Sequence, residues 1–408
     1  MRNGGCMGKY KTLLVGVSTF CSLLPTLLFA QMTWTQATAN AQWSARNRFK
    51  SVVFNNKMWV MGGSSPLTND VWYSTDGVSW TQATANAQWS ARSRFTSVVF
   101  DNKMWIIGGY DGSYKNDVWY SSDGVTWTQA TANAQWPGRA NHTSVVFNNK
   151  IWVIGGWLYS GGYLNDVWYS SDGVNWTQAT ANAGWSARDR FTSAVFDNKM
   201  WVMGGFCSNS PYYLNDAWYS SDGVTWTQAT ANAGWSPRME LSSVAFDNKI
   251  WMMGGYAGFI SNNDVWYSSD GVNWTQATAS AGWSIRFAHS SIVFDNKIWV
   301  LGGSDNQLNL FNDVWYSSGL NGIEDNRQPL VANRFSLYPN PARTYFAIRL
   351  PQSADHSLVK IFDIAGNIVK SEEVKTKNCR ISLDGIKNGV YFIKVGNEMV
   401  KEKLVVTR

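Results

Sequence analysis

Residues 100–127 read FDNKMWIIGGYDGSYKNDVWYSSDGVTW. This stretch holds a short apolar run ending in a double glycine (Gly108, Gly109), a polar loop, an aromatic run through Tyr120, an Asp-Gly pair (Asp123, Gly124) and a closing Trp127. The same order returns five more times. The first glycine of each pair is Gly62, Gly108, Gly155, Gly204, Gly254 and Gly302, at steps of 46, 47, 49, 50 and 48 residues. A repeat of this length is one supersecondary unit that cannot bury its apolar surface alone, so the chain is read as a stack or ring of such units.

Each unit predicts four short antiparallel strands. The first is SVVF, ending at Phe100, and the turn Asp101-Asn102-Lys103 leads into MWIIGG. The glycines suit a strand end that needs positive φ or a close neighbour. NDVWYS is the third strand, Asp123-Gly124 predicts a tight hairpin turn, and WTQAT is the fourth. Four strands of this length at this period describe a propeller blade.

The residues then resemble a known family. The double glycine, a Tyr and a Trp with six residues between them, as in Tyr73 and Trp80 or Tyr120 and Trp127, is the kelch pattern. An Arg before each first strand fits it too: Arg46, Arg92, Arg139, Arg188, Arg238 and Arg286. The resemblance covers residues 31 to about 318 and implies an all-β propeller of four-stranded blades. Near the start, residues 34–38 (WTQAT) form a fourth strand with no first three before it. The sixth repeat, ending at Ser318, lacks its own fourth strand. The two ends therefore predict a six-bladed ring in which the N-terminal strand completes the last blade, since an open blade would expose unpaired backbone.

The flanks read differently. Residues 1–30 carry Arg2, Lys9 and Lys11, an apolar run and a terminal Leu28-Phe29-Ala30, the layout of a cleaved secretory signal peptide. No membrane span is expected after its removal. Residues 319–332 are polar and read as a linker. Residues 333–408 carry YPNPA from Tyr338, VKIFDIAGNIV from Val359, NGVYFIKV from Asn388 and KEKLVVTR from Lys401. These runs are similar to the type A C-terminal sorting domain of the type IX secretion system. The resemblance implies a small Ig-like β-sandwich, an encounter with that secretion machinery, and export through the periplasm to the outside or outer-membrane surface of a Gram-negative bacterium.

The net charge of +6 is unevenly spread. Residues 1–30 carry +3, residues 31–320 carry −2 and residues 321–408 carry +5. A nearly neutral propeller argues against a nucleic-acid surface built on phosphate contacts. Cys207 and Cys379 are the only cysteines beyond the leader, so neither a disulfide framework nor a zinc cluster is expected. Of 25 tryptophans, 24 fill four repeat positions six times over and read as packing residues, while Trp157 stands outside the pattern.

Strand parity places the functional face. The loops between second and third strands share one side with those between the fourth strand and the next blade's first. The two-to-three loops vary, and they carry Tyr114, Trp157, Tyr159, Tyr212, Tyr213, Phe259 and Phe311. Variable loops on a rigid frame are where binding is usually placed. Two residues after each repeat Arg stand Arg48, Arg94, Asn141, Arg190, Glu240 and Ala288, which should ring the channel mouth. His142 and His289 hold equivalent positions in blades three and six, on opposite sides of the ring. The expectation is a secreted or surface binding protein that presents this face to a protein or glycan ligand. No catalytic residue, metal or cofactor is expected. The alternatives are a secreted carbohydrate-active enzyme on the same scaffold, sialidase-like or galactose oxidase-like, and a structural adhesin component. A galactose oxidase-type copper site would need clustered His and Tyr ligands. SSDGVTW from Ser121 resembles the sialidase Asp-box but is one residue shorter.

Overall fold

The computed structural model describes residues 32–160 and 162–318 and, between 336 and 406, the strands and several of their connections. The expected signal peptide and linker lie outside the described residues. Regular structure among the described residues is β-strand, and no helix is long and apolar enough to cross a membrane.

In the second repeat the strands are Thr96–Phe100, Lys103–Tyr110, Tyr114–Ser121 and Thr128–Thr131, paired antiparallel in that order. Five further sheets repeat this order. In one of them Thr33–Thr38 pairs with Leu310–Ser318, with Thr33 opposite Ser318 and Trp34 opposite Ser317, so the N-terminal strand lies outermost on the sheet of the last repeat. Asn312 Nδ2 then donates to the Ala41 and Trp43 carbonyls at 3.0 and 3.2 Å, as Asn116 does to Ala134 and Trp136 within the chain.

The second strand of each blade is buried on both faces, because a blade is covered on each side by another. Its residues alternate between two cores. Met104 and Ile106 pack with Trp59 and Met61 of blade one, whereas Trp105 and Ile107 pack with Ile151 and Val153 of blade three. A core of the same kind joins Met58 and Val60 of blade one to Ile292 and Leu301 of blade six. Fully burying an Ile or Met in such a core is worth roughly 1.5–3 kcal/mol. Trp pairs extend each core outward. Trp34 meets Trp283 edge-on at 5.9 Å, the same contact that Trp43 makes with Trp80 at 6.0 Å.

The double glycine is a β-bulge, with the register slipping between Ile107 and Gly109. Gly108 has φ +61°, and a Cβ there would stand 3.0 Å from His142 Cε1 on the next blade. The first glycine thus seats a ring from its neighbour. Asp123-Gly124 differs from the expected tight hairpin: the connection from Ser121 to Thr128 is longer than two residues. Asp123 Oδ1 holds it by accepting from the Val125 and Thr126 amides at 2.8 Å each, and a Cβ on Gly124 would overlap the Trp59 ring of blade one.

The C-terminal part forms two sheets. Ser336–Tyr338, Tyr345–Arg349 and Asn378–Ser382 make one, and Ser357–Phe362, Ile368–Val374, Gly389–Val395, Glu398–Met399 and Leu404–Val406 the other. Phe346 and Ile381 from the first share a core with Val359, Ile361 and Ile393 from the second, which makes a sandwich.

Candidate functional site at the channel mouth

The repeat arginines build the frame. Arg92, 1% exposed, forks onto Asp117 with Nη1 and Nη2 at 2.6 and 2.7 Å and also donates to the Gly108 carbonyl at 3.1 Å. The planar guanidinium matches a carboxylate with two parallel bonds. Arg46–Asp70, Arg139–Asp166, Arg188–Asp216, Arg238–Asp264 and Arg286–Asp313 repeat the pair. Asp117 is thus held by the arginine that opens its own blade.

Two residues after each of these arginines, the backbone turns left-handed. Arg48, Arg94, Asn141, Arg190, Glu240 and Ala288 have φ between 52 and 57°. Each amide donates to the carbonyl of the equivalent residue one blade earlier: Arg94 to Arg48 at 3.1 Å, Asn141 to Arg94 at 2.9 Å, Arg190 to Asn141 at 3.1 Å and Glu240 to Arg190 at 2.7 Å. Ala288 donates to Glu240 and Arg48 to Ala288, both at 3.0 Å, so the six bonds close on themselves. Non-glycine residues are uncommon in this region and persist where the surroundings over-determine them, often at ligand clamps. Here the cyclic bonds supply that constraint.

The six side chains surround one opening. Arg48, Arg94, Arg190, Glu240, His142 and His289, all singled out from sequence, line a single cavity of about 70 Å³. Arg48 Nε donates to Glu240 Oε1 at 2.9 Å, and Arg190 Nε stands 3.7 Å from the same oxygen. Arg94 has no carboxylate within ion-pair distance among the described residues. Burial, then the charges of Arg48 and Arg190, push its pKa down. Its guanidinium lies 5.7 Å from the Tyr110 ring. The mouth therefore carries three guanidiniums around one Glu240 carboxylate.

Asp189, which sequence reasoning missed, stands beside them. It accepts from Asn141 Nδ2 at 3.0 Å and lies 3.6 Å from Arg190 Nε. Burial pushes its pKa up to about 6, with the Glu240 charge adding to the rise and Arg190 and Asn141 opposing it. His142 and His289 are buried and neutral at pH 7. Burial lowers both, with Arg139 and Lys50 adding to it for His142 and Arg286 and Lys50 for His289, which falls to about 3. Asp189 is visible as the one acid in its repeat column, where the other blades have Asn47, Ser93, Ala140, Met239 and Phe287.

The loop aromatics divide. Tyr159 is 87% exposed and Phe259 83%, with Tyr212 at 54%. Tyr114 sits between Tyr110, edge-on at 5.2 Å, and Tyr159, tilted at 6.1 Å. An arc of rings runs from Trp157 through Tyr163, Phe206, Tyr213 and Tyr256 to Phe287, with neighbouring centroids 4.5–6.4 Å apart. Phe311 instead lies 4.6 Å from the Arg286 guanidinium and belongs to the frame. The β-bridges Ser93↔Tyr110 and Asp189↔Phe206 tie the first residues of two two-to-three loops to the residues just before Arg94 and Arg190.

Residues 16–156 and 95–303 match the KLHDC2/KLHL20/DRC7 Kelch-repeats domain. The chain belongs to the kelch-repeat family. Residues 336–407 match the secretion system C-terminal sorting domain, and the kelch protein is accordingly secreted or displayed at the cell surface. A solved structure described as the structure of YjhT is similar to the kelch ring at a TM-score of 0.55 and 14% identity, covering 69% of this chain and 96% of that one; this likeness shows the fold. Beta-agarase A of Zobellia galactanivorans is 38% identical over 73 residues, which are 18% of this chain and 13% of the agarase. A match of 73 residues is too short to span six blades, and it brings no activity with it.

Proposed function

We propose that the kelch ring is a binding module whose two-to-three loop face takes a protein or glycan ligand bearing an acidic group on a flat or hydroxyl-rich body. The observation that carries this reading is the charge imbalance at the mouth: Arg48 is neutralised by Glu240, whereas Arg94 has no carboxylate partner among the described residues. Guanidiniums offer planar donor forks to carboxylate, sulfate or phosphate, and the ring arc beside them offers stacking faces. The C-terminal sorting domain brings the module to the type IX machinery.

The full-length secreted protein is screened on an array pairing acidic glycans and peptides with their neutral counterparts. Acidic members are expected to bind better. The double variant Arg48→Ala with Arg94→Ala, or Trp157→Ala with Tyr159→Ala, should weaken a captured ligand by about 1–3 kcal/mol. Asn102→Ala with Asn149→Ala, in the one-to-two turns on the other side, should leave it unchanged. Loss of binding in this last pair with retention in the first two would reverse the face.

A further inference from the structure

Below the arginine ring, each inner strand sets two consecutive side chains around the channel. In most blades both are hydroxyls, and the first bonds the second of the next blade: Thr96 to Ser144 at 2.5 Å, Thr143 to Ser193, Thr192 to Ser243 at 2.7 Å and Ser290 to Ser51 at 2.6 Å. The belt breaks twice. Blade one presents Lys50 in place of a hydroxyl, and the Ser97 Oγ that would meet it is buried without a partner. In blade five Ser242 pairs with His289 Nε2 at 2.7 Å instead, and Ser291 Oγ is left buried and unpartnered. His289 Nδ1 also lacks a hydrogen-bond partner.

These groups open on one cavity of about 170 Å³, walled mostly by Ser and Thr, with Lys50, His142, His289, Phe191 and Leu241 completing it. An apolar pocket of about 150 Å³ holds a benzene-sized molecule, so the space admits a small solute. Its chemistry is that of a donor-lined, positive throat. Among the described residues Lys50 Nζ makes no hydrogen bond or ion pair. Burial lowers the Lys50 pKa from its ordinary value, and the Glu240 charge partly opposes that shift. Both histidines are neutral, and the guanidiniums of the mouth stand directly above. The three guanidiniums outnumber the Glu240 and Asp189 carboxylates, and a narrow channel of net positive charge focuses the field inward.

We propose that this throat is an oxyanion site, in which the Lys50 ammonium and the orphan hydroxyl of Ser97, with Ser291 at the second gap, receive a carboxylate or a tetrahedral oxyanion. The proposal stands apart from the arginine reading, because its residues lie in the hydroxyl belt and its decisive group is Lys50. Charge-assisted bonds to anionic oxygens satisfy donors that the broken belt leaves free. A free inorganic ion and the acidic end of a larger ligand present the same oxygens, and two probes separate them.

The repeat itself supplies the variant. Lys50→Thr installs the residue that blades two, three and four carry, and the new hydroxyl can close the belt onto Ser97. Full-length protein is titrated calorimetrically with inorganic phosphate and sulfate in one arm and with glucuronate in the other, at constant ionic strength in chloride. Saturable binding of at least one probe is expected, weakened tenfold or more by Lys50→Thr and changed less than threefold by Asn102→Ala with Asn149→Ala in the one-to-two turns. A response to phosphate and sulfate assigns the site to free ions, and a response to glucuronate alone assigns it to a ligand's acidic end. No saturable binding of any probe, or binding that survives Lys50→Thr, overturns the proposal. Binding lost in Arg94→Ala and kept in Lys50→Thr moves the anion up to the arginine ring and overturns it as well. Should Lys50→Thr not fold, Lys50→Met, which keeps the length and removes the charge, is read in the same way.

Discussion

Glu240 and Arg48 lie 192 residues apart and form a 2.9 Å hydrogen bond across the channel mouth. Ala288, which stands between them in the backbone ring, is too short to intervene. The carboxylate is 5% exposed and its second oxygen accepts no hydrogen bond, so it is held for its charge among three guanidiniums. Glu240→Gln leaves Asp189, beside Arg190, as the cluster's remaining carboxylate and should lower stability by about 1–3 kcal/mol. Sulfate should recover more of the loss in the variant than in the parent. Thermal melts in sulfate against chloride at equal ionic strength check this; equal gains in both proteins would show that Glu240 does not balance the ring.

Asp189 is buried, and its pKa rises from 3.8 to about 6. The folded state therefore holds this proton more tightly than the unfolded state. Stability attributable to the group is full below about pH 4, falls as pH rises towards about 6, and is level above. Asp189→Asn removes the loss and keeps an acceptor for Asn141. The variant should match the parent near pH 4 and exceed it at pH 7 by on the order of 2–3 kcal/mol. Denaturant unfolding at the two pH values measures the difference.

His289 shifts the other way. Its folded pKa is about 3 against 6.5 unfolded, so its contribution is intact above pH 6.5 and is lost as pH falls towards 3. His289→Phe places there the residue found in blades one, two and four, and frees Ser242 to bond Ser291. The variant should lose less stability than the parent between pH 6.5 and 4.5. Parallel acid-unfolding curves for the two proteins would refute a proton-linked role.

Ala288 has φ +52° and lines the mouth without a functional group of its own. Glycine adopts this conformation without the Cβ penalty that alanine carries, so strain relief of about 1–2 kcal/mol is set against a loss of chain entropy of about 0.4–1 kcal/mol. Ala288→Gly should therefore be neutral to stabilising, the reverse of the usual result. A fall in melting midpoint would place the ring's conformation at no cost to alanine.

The buried Arg–Asp pairs set the largest single effect. Asp117→Asn leaves the Arg92 guanidinium, 1% exposed, without its countercharge. Breaking such a pair typically costs about 3–5 kcal/mol. The variant's melting midpoint should fall well below that of Asp123→Asn, whose side chain lies near the surface. Equal losses would mean that the frame does not depend on the pair.

Much of this architecture is legible in the chain itself, because the evidence is local and recurs. The strand order of each blade, the double-glycine bulge, the packing role of the tryptophans and the ring positions from Arg48 to Ala288 follow from spacing within one repeat. The recurrence shows which residues are common to all blades. The use of the odd residues is not legible in this way. Arg92 finds Asp117 across its own blade, Glu240 finds Arg48 two blades away, and Lys50 breaks a belt whose bonds join each blade to the next. Such partners are fixed only when the inner strands converge on one axis. Burial there removes water as the alternative partner, so a missing hydroxyl or an extra charge changes the chemistry of the whole channel. Sequence alone thus determined the blade and the column of residues that rings the axis. The tertiary structure decided which side chains meet at the axis, because distance in the ring, and not distance along the chain, sets their fields and hydrogen bonds.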